Sequence, residues 1–136
     1  MPRAQQTEQS FFNLSPIAIG SQYSTEIEAL DFDHLLLFID LTLSSMTSID
    51  LYPQVSHDGT NWKDYYDANN TKVSWTFSAD VDYARILGQA NNVTRLHGMP
   101  IAAPLFRMAC DGTGTPGSST LVVTGIPYNM GALQDA

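Results

Sequence analysis

Apolar and polar residues alternate most regularly in H-L-L-L-F-I-D-L-T-L, residues 34–43. Leu35, Leu37, Ile39, Leu41 and Leu43 fall on one parity, and His34, Leu36, Phe38, Asp40 and Thr42 on the other. A period of two predicts a strand, because successive side chains point to opposite faces. The first set is the expected core face; the second starts apolar and ends polar. In S-I-D-L-Y-P-Q-V-S, Ile49, Leu51 and Val55 alternate with Asp50, Tyr52, Gln54 and Ser56. Pro53 interrupts this second strand and, having no N–H to give, predicts an edge position or a bulge there. The short connector S-S-M-T predicts an antiparallel hairpin between the two runs.

Further strands are expected over residues 72–78, 104–110 and 119–126, with D-G-T-G-T-P-G-S as a flexible turn before the last of them. Residues 81–87 fit either a strand or a short helix, and no other stretch sustains a helical period. Many short strands separated by turn signals predict an all-β, single-domain antiparallel sandwich, jelly-roll or immunoglobulin-like. The polar start M-P-R-A-Q-Q-T-E-Q-S reads as an extended arm over residues 1–15, leaving a sandwich over 16–127 and a C-terminal tail over 128–136.

A length of 136 residues suits one domain with a sizeable core. Net charge is −8, and the six strong cations, Arg3, Lys63, Lys72, Arg85, Arg95 and Arg107, are scattered. Nucleic acids and anionic membrane surfaces are bound by clustered cations, so neither is expected as a partner. The longest apolar run, residues 35–39, is far short of a membrane span. The N-terminus lacks the apolar core of a signal peptide. Cys110 stands alone, which excludes an internal disulfide and fits a reducing compartment; a buried thiol is expected.

Candidate chemistry is sparse. His34, His57 and His97 accompany no nucleophile motif, and no zinc spacing or phosphate-cradling glycine loop occurs. Glu26, Glu28, Asp31 and Asp33, and separately Asp80 and Asp82, could offer oxygens to calcium. Their alternation with Ile27, Phe32 and Val81 instead describes a solvated strand face. No enzyme activity, cofactor or metal is therefore expected. Tyr52, Trp62, Tyr65, Tyr66 and Trp75 are close in sequence, and Trp62, Tyr65 and Tyr66 could contact a sugar by ring stacking. The competing explanation is packing across strands, and Tyr65 and Tyr66 must face opposite ways in a strand. Phe11, Phe12, Leu14, Leu36, Phe38, Tyr128, Met130 and Leu133 exceed what one core requires and are expected at a partner interface.

The string Q-V-S-H-D-G-T-N-W, followed by K-D-Y-Y-D, resembles a pattern in small β-sandwich structural proteins of tailed bacteriophages. Those chains carry S-x-D-G-x-x-W in a hairpin and later an aliphatic-Arg-aliphatic strand before a glycine-rich turn. Here the later portion is P-L-F-R-M-A-C-D-G-T-G-T-P-G-S-S-T-L-V-V-T-G. The resemblance spans residues 49–126; Pro53 departs from it, and both chain ends lie outside it. It implies a virion building block assembled in the host cytoplasm: a head decoration (cement) protein, or a tail or head-completion subunit. Implied partners are further copies of the chain, as a homo-oligomer, and virion proteins such as the major capsid protein. A carbohydrate-binding module is the alternative, with a small hydrolase third. Within the motif, Asp58-Gly59 is expected to form a positive-φ turn with Trp62 packing across it.

Overall fold

The computed structural model describes residues 8–29, 34–66, 69–87 and 104–128. Every regular element in them is a strand. They are β1 (Gln9–Leu14), β2 (Gly20–Tyr23), β3 (Ile27–Glu28), β4 (His34–Thr42), β5 (Met46–Ser56), β6 (Trp62–Asp64), β7 (Trp75–Phe77), β8 (Val81–Leu87), β9 (Leu105–Gly114) and β10 (Thr120–Tyr128). One sheet has the order β1-β10-β4-β8 and the other β2-β9-β5-β6, with β3 also on β9 and β7 also on β5. All pairings are antiparallel.

This order separates the two sandwich types left open by the sequence. The chain forms one long hairpin with rungs β5 to β6 and β7, β4 to β8, β2 and β3 to β9, and β1 to β10. Rolling that hairpin adds the pairings β10 to β4 and β9 to β5. A rolled hairpin split over two sheets is the jelly roll.

Leu35, Leu37, Ile39 and Leu41 of β4 are fully enclosed, as their alternation requires. They meet Ile49 and Leu51 of β5, Phe106, Met108 and Cys110 of β9, and Leu121 and Val123 of β10. Each such aliphatic side chain contributes about 1.5–3 kcal/mol by leaving water. Burial, and then the charge of Asp111, push the Cys110 thiol up to about 12, so it is an inert core thiol.

Three strand-level expectations change, and one left open is settled. The S-S-M-T connector is not a hairpin, since β4 and β5 lie in different sheets. Leu43 and Met46, both buried, flank an arch closed by the Met46 N–H donating to the Leu43 carbonyl at 2.8 Å, and apolar residues on both sides of the turn pull it over the core edge. Pro53 is neither on an edge strand nor in a bulge: it pairs with Met108 inside β5. On the other side of β5, β7 covers Ile49–Leu51 and β6 covers Gln54–Ser56, so Pro53 sits where no ladder partner is supplied. Asp111–Gly114 belong to β9, leaving a shorter turn. Residues 81–87 resolve as a strand because β4 offers a pairing edge.

The largest correction concerns the arm. Within residues 1–15, Gln9–Leu14 form β1, hydrogen-bonded to β10, so the sandwich begins before residue 16. Phe11 and Phe12 are only 5% and 4% exposed and Leu14 packs against the core, so these three are not interface residues. Two consecutive inward side chains need a break in the period of two. A register shift between Ser10 and Phe12 supplies it. Space for the Phe11 ring comes from Gly125 on β10, where an added Cβ would lie 2.8 Å from Phe11 Cε2 and 3.0 Å from Leu35 Cδ1. The ring then meets Phe106 edge-on at 5.8 Å.

Candidate functional site

Two strand faces point away from the core, and they carry different chemistry. On the six-stranded sheet the outer rows follow from the register: Gln54 lies beside Arg107 and Asp64, Tyr52 beside Ala109, and Ala109 beside Tyr23. The Arg107 guanidinium lies 4.1 Å from the Tyr23 ring centre and 4.3 Å from that of Trp62. Its Nε donates to Gln54 Oε1 at 2.9 Å, and Gln54 Nε2 donates to Asp64 Oδ1 at 2.9 Å. Asp64 in turn pairs with Lys72 at 3.4 Å, whose ammonium lies 3.8 Å over the Tyr52 ring. The Tyr52 hydroxyl reaches Asp111 Oδ2 at 3.3 Å, and Ser21 Oγ donates to Asp111 Oδ1. Burial first, then the Asp111 charge, push the Tyr52 phenol up to about 12, so it stays a donor at neutral pH. Buried Gln54 thus connects two charged rows.

The S-H-D-G-T-N-W loop closes the β5–β6 hairpin at the end of this face. Gly59 has φ of +80°, the conformation expected for the Asp58-Gly59 turn. Asp58 Oδ1 accepts from the Asn61 N–H at 2.8 Å and the Thr60 N–H at 2.9 Å, while Asn61 Nδ2 donates to Oδ2 at 2.7 Å. Ser56 Oγ accepts from the Gly59 N–H at 2.9 Å and donates to Asp58 Oδ1 at 3.1 Å. The N–H groups of Asn61 and then Thr60 hold the Asp58 carboxyl well below the usual carboxylate range. His57 is exposed, 3.9 Å from Asp58, and shares no hydrogen bond with a nucleophile among the described residues. The loop is a self-satisfied turn.

The aromatic residues close in sequence do not form one platform. Trp62 faces Arg107, whereas Trp75 packs against the core. Tyr65 is half-buried, and burial raises its phenol pKa; Tyr66 is 52% exposed and bridges to Lys72. The ring that joins Trp62 is Tyr23, 51% exposed, from a distant strand. Sequence reasoning missed Tyr23, which no local motif marks, and gave no site role to Arg107, the arginine of the F-R-M strand.

On the four-stranded sheet the outer rows are Leu36 with Ile126, Phe38 with Thr124 and Ala84, and Asp40 with Val122 and Asp82. Phe38 is 42% and Val122 38% exposed, with Leu36 and Ile126 half-buried beside them. Asp40 and Asp82 face each other directly across β4 and β8, both exposed. Among the described residues neither has a hydrogen-bond or ion-pair partner. Of the remaining interface expectations, Tyr128 closes β10 opposite His34. Met130 and Leu133 lie outside the described residues.

Glu26 and Glu28 are exposed, and Asp80 Oδ1 accepts from the Leu43 N–H at 2.9 Å to brace the β4–β5 arch. Asp31 and Asp33 lie outside the described residues. No cluster of three metal-ligating side chains occurs among the described residues, and they contain no helix long and apolar enough to cross a membrane.

The architecture defines a jelly-roll β-sandwich. No protein-family model matches the chain, and no curated protein matches it. The chain is similar to the crystal structure of the SPBc2 prophage-derived protein YomS, with 15% sequence identity and a TM-score of 0.48, covering 90% of this chain and 92% of that one. A likeness of that size is too slight to transfer a role.

Proposed function

We propose that this protein is a non-enzymatic structural subunit of a virus particle of the tailed-phage kind. Within that class we favour capsid decoration, in which the subunit stabilises a shell by contacting its neighbours. The observation that carries the reading is the strip around Phe38 and Val122, exposed by 42% and 38% on the outer face of the four-stranded sheet. Contiguous exposed apolar surface favours a contact role, and half-buried Leu36 and Ile126 extend this strip. The phage-like pattern over residues 49–126 supports the particle assignment. The jelly roll adds an analogy, being a recurrent architecture of viral capsid proteins as well as of lectins.

The test is mass spectrometry of purified particles from the phage that encodes the chain. Many copies per particle are expected, and their absence overturns the reading. A carbohydrate-binding role is the second reading, kept because Tyr23 and Trp62 come together beside polar Gln54 and Asp64. Arg107 already occupies one face of each ring, which leaves less for a sugar to stack on. Glycan-array binding lost in Trp62→Ala, with folding intact, would favour this second role.

A further inference from the structure

Resting on the assembly reading above, we propose that the outer face of the four-stranded sheet docks a different particle protein. That partner brings an arginine or lysine to the Asp40–Asp82 pair and an apolar contact to Phe38 and Val122. Like charges directly opposite on antiparallel strands are unfavourable, and the described structure provides no cation to relieve them. Val122 stands opposite Asp40 in the register, and Phe38 two residues along the same face, so the carboxylates border the apolar strip. An arginine or lysine fits both halves: its stem lies along apolar surface while its charged end meets carboxylates.

Charge argues against a second copy as the occupant. The chain carries −8, and a face-to-face copy would bring two Asp40–Asp82 pairs together. The described cationic side chains, Lys63, Lys72 and Arg107, stand on the β6, β7 and β9 side of the molecule. There Lys72 is paired with Asp64, and Arg107 is held between Tyr23 and Trp62. A basic patch on another protein answers the acidic border directly.

The experiment adds purified full-length chain to particles assembled without it, and measures occupancy by quantitative mass spectrometry. Wild type and Glu28→Gln, a change on the other sheet, are expected to bind alike. Asp40→Lys/Asp82→Lys and Phe38→Ser are each expected to lower occupancy about tenfold or more. Circular dichroism melting should show both variants folded. Carbodiimide coupling of bound wild type should join Asp40 or Asp82 to a lysine of another particle protein. Full occupancy of the lysine variant, or coupling only between copies of this chain, overturns the proposal while leaving the assembly reading intact. Absence of wild type from native particles overturns both.

Discussion

On the outer face of the six-stranded sheet, Arg107 is gripped by Tyr23, Trp62 and Gln54, and Asp64 is shared between Gln54 and Lys72. On the outer face of the four-stranded sheet, Phe38 and Val122 stand in water beside two carboxylates that face each other with no partner among the described residues. Both faces carry aromatic rings and charge, so composition does not separate them. What separates them is closure: on one, polar groups are satisfied by neighbours from other strands, and on the other they are not. A closed face supports the fold, and an open one is available to a partner. The aromatic cluster that first attracts attention therefore belongs mainly to stability, and the plainer strip on β4 and β10 carries the functional reading.

The most severe way to test this division is to remove what lies beneath both faces. Phe11→Ala should cost about 3–5 kcal/mol, because it empties a ring-sized space between the sheets. Urea denaturation measures it. A loss below about 1 kcal/mol would return β1 to the status of an arm. Next comes the direct comparison of the faces. Arg107→Ala removes the guanidinium from two rings and leaves Gln54 without its donor, and should cost about 1–2 kcal/mol. Phe38→Ser, on the open face, should move stability by about 0.5 kcal/mol or less. Equal losses from the two substitutions would erase the distinction drawn between the faces.

These particular residues also show what was legible in sequence. Leu35 to Leu43 were readable because a half-buried strand must alternate, and the structure buries that parity. Gly59 was readable because a tight turn after Asp needs positive φ. Phe11 and Phe12 were misread because two adjacent apolar residues obey no period. Their burial depends on a bulge and on Gly125, more than a hundred residues away in the chain. The S-S-M-T turn was misread because a short connector is compatible with pairing or with arching between sheets, and only the whole roll decides. The Tyr23–Arg107–Trp62 stack joins three strands, so no window of sequence contains it.

The closed face has an acid-sensitive end. Hydrogen bonds from Asn61 and Thr60 depress the Asp58 pKa in the folded state. The sign follows: the depressed group adds stability above its unfolded pKa, about 4, and that stability is lost as pH falls from there toward the folded value. The melting-temperature gap between wild type and Asp58→Ala should be constant from pH 7 to about 5 and should narrow progressively below about 4. A gap that persists undiminished to pH 2 would show that the loop is held by something other than this carboxylate.

The smallest effect is the most discriminating, because its sign opposes the usual outcome of a substitution. Asp40 faces Asp82 with no cation between them among the described residues, so Asp40→Asn should raise stability by about 0.2–0.5 kcal/mol at low salt. Added salt screens the repulsion, and the gain should shrink above about 0.5 M. Matched urea denaturation curves at low and high salt measure it. Under the docking proposal, a cation brought by the partner would turn this unfavourable pair into a favourable contact. A loss of stability in Asp40→Asn would mean that the pair is already satisfied within the fold, and the open face would then have only its apolar strip to offer.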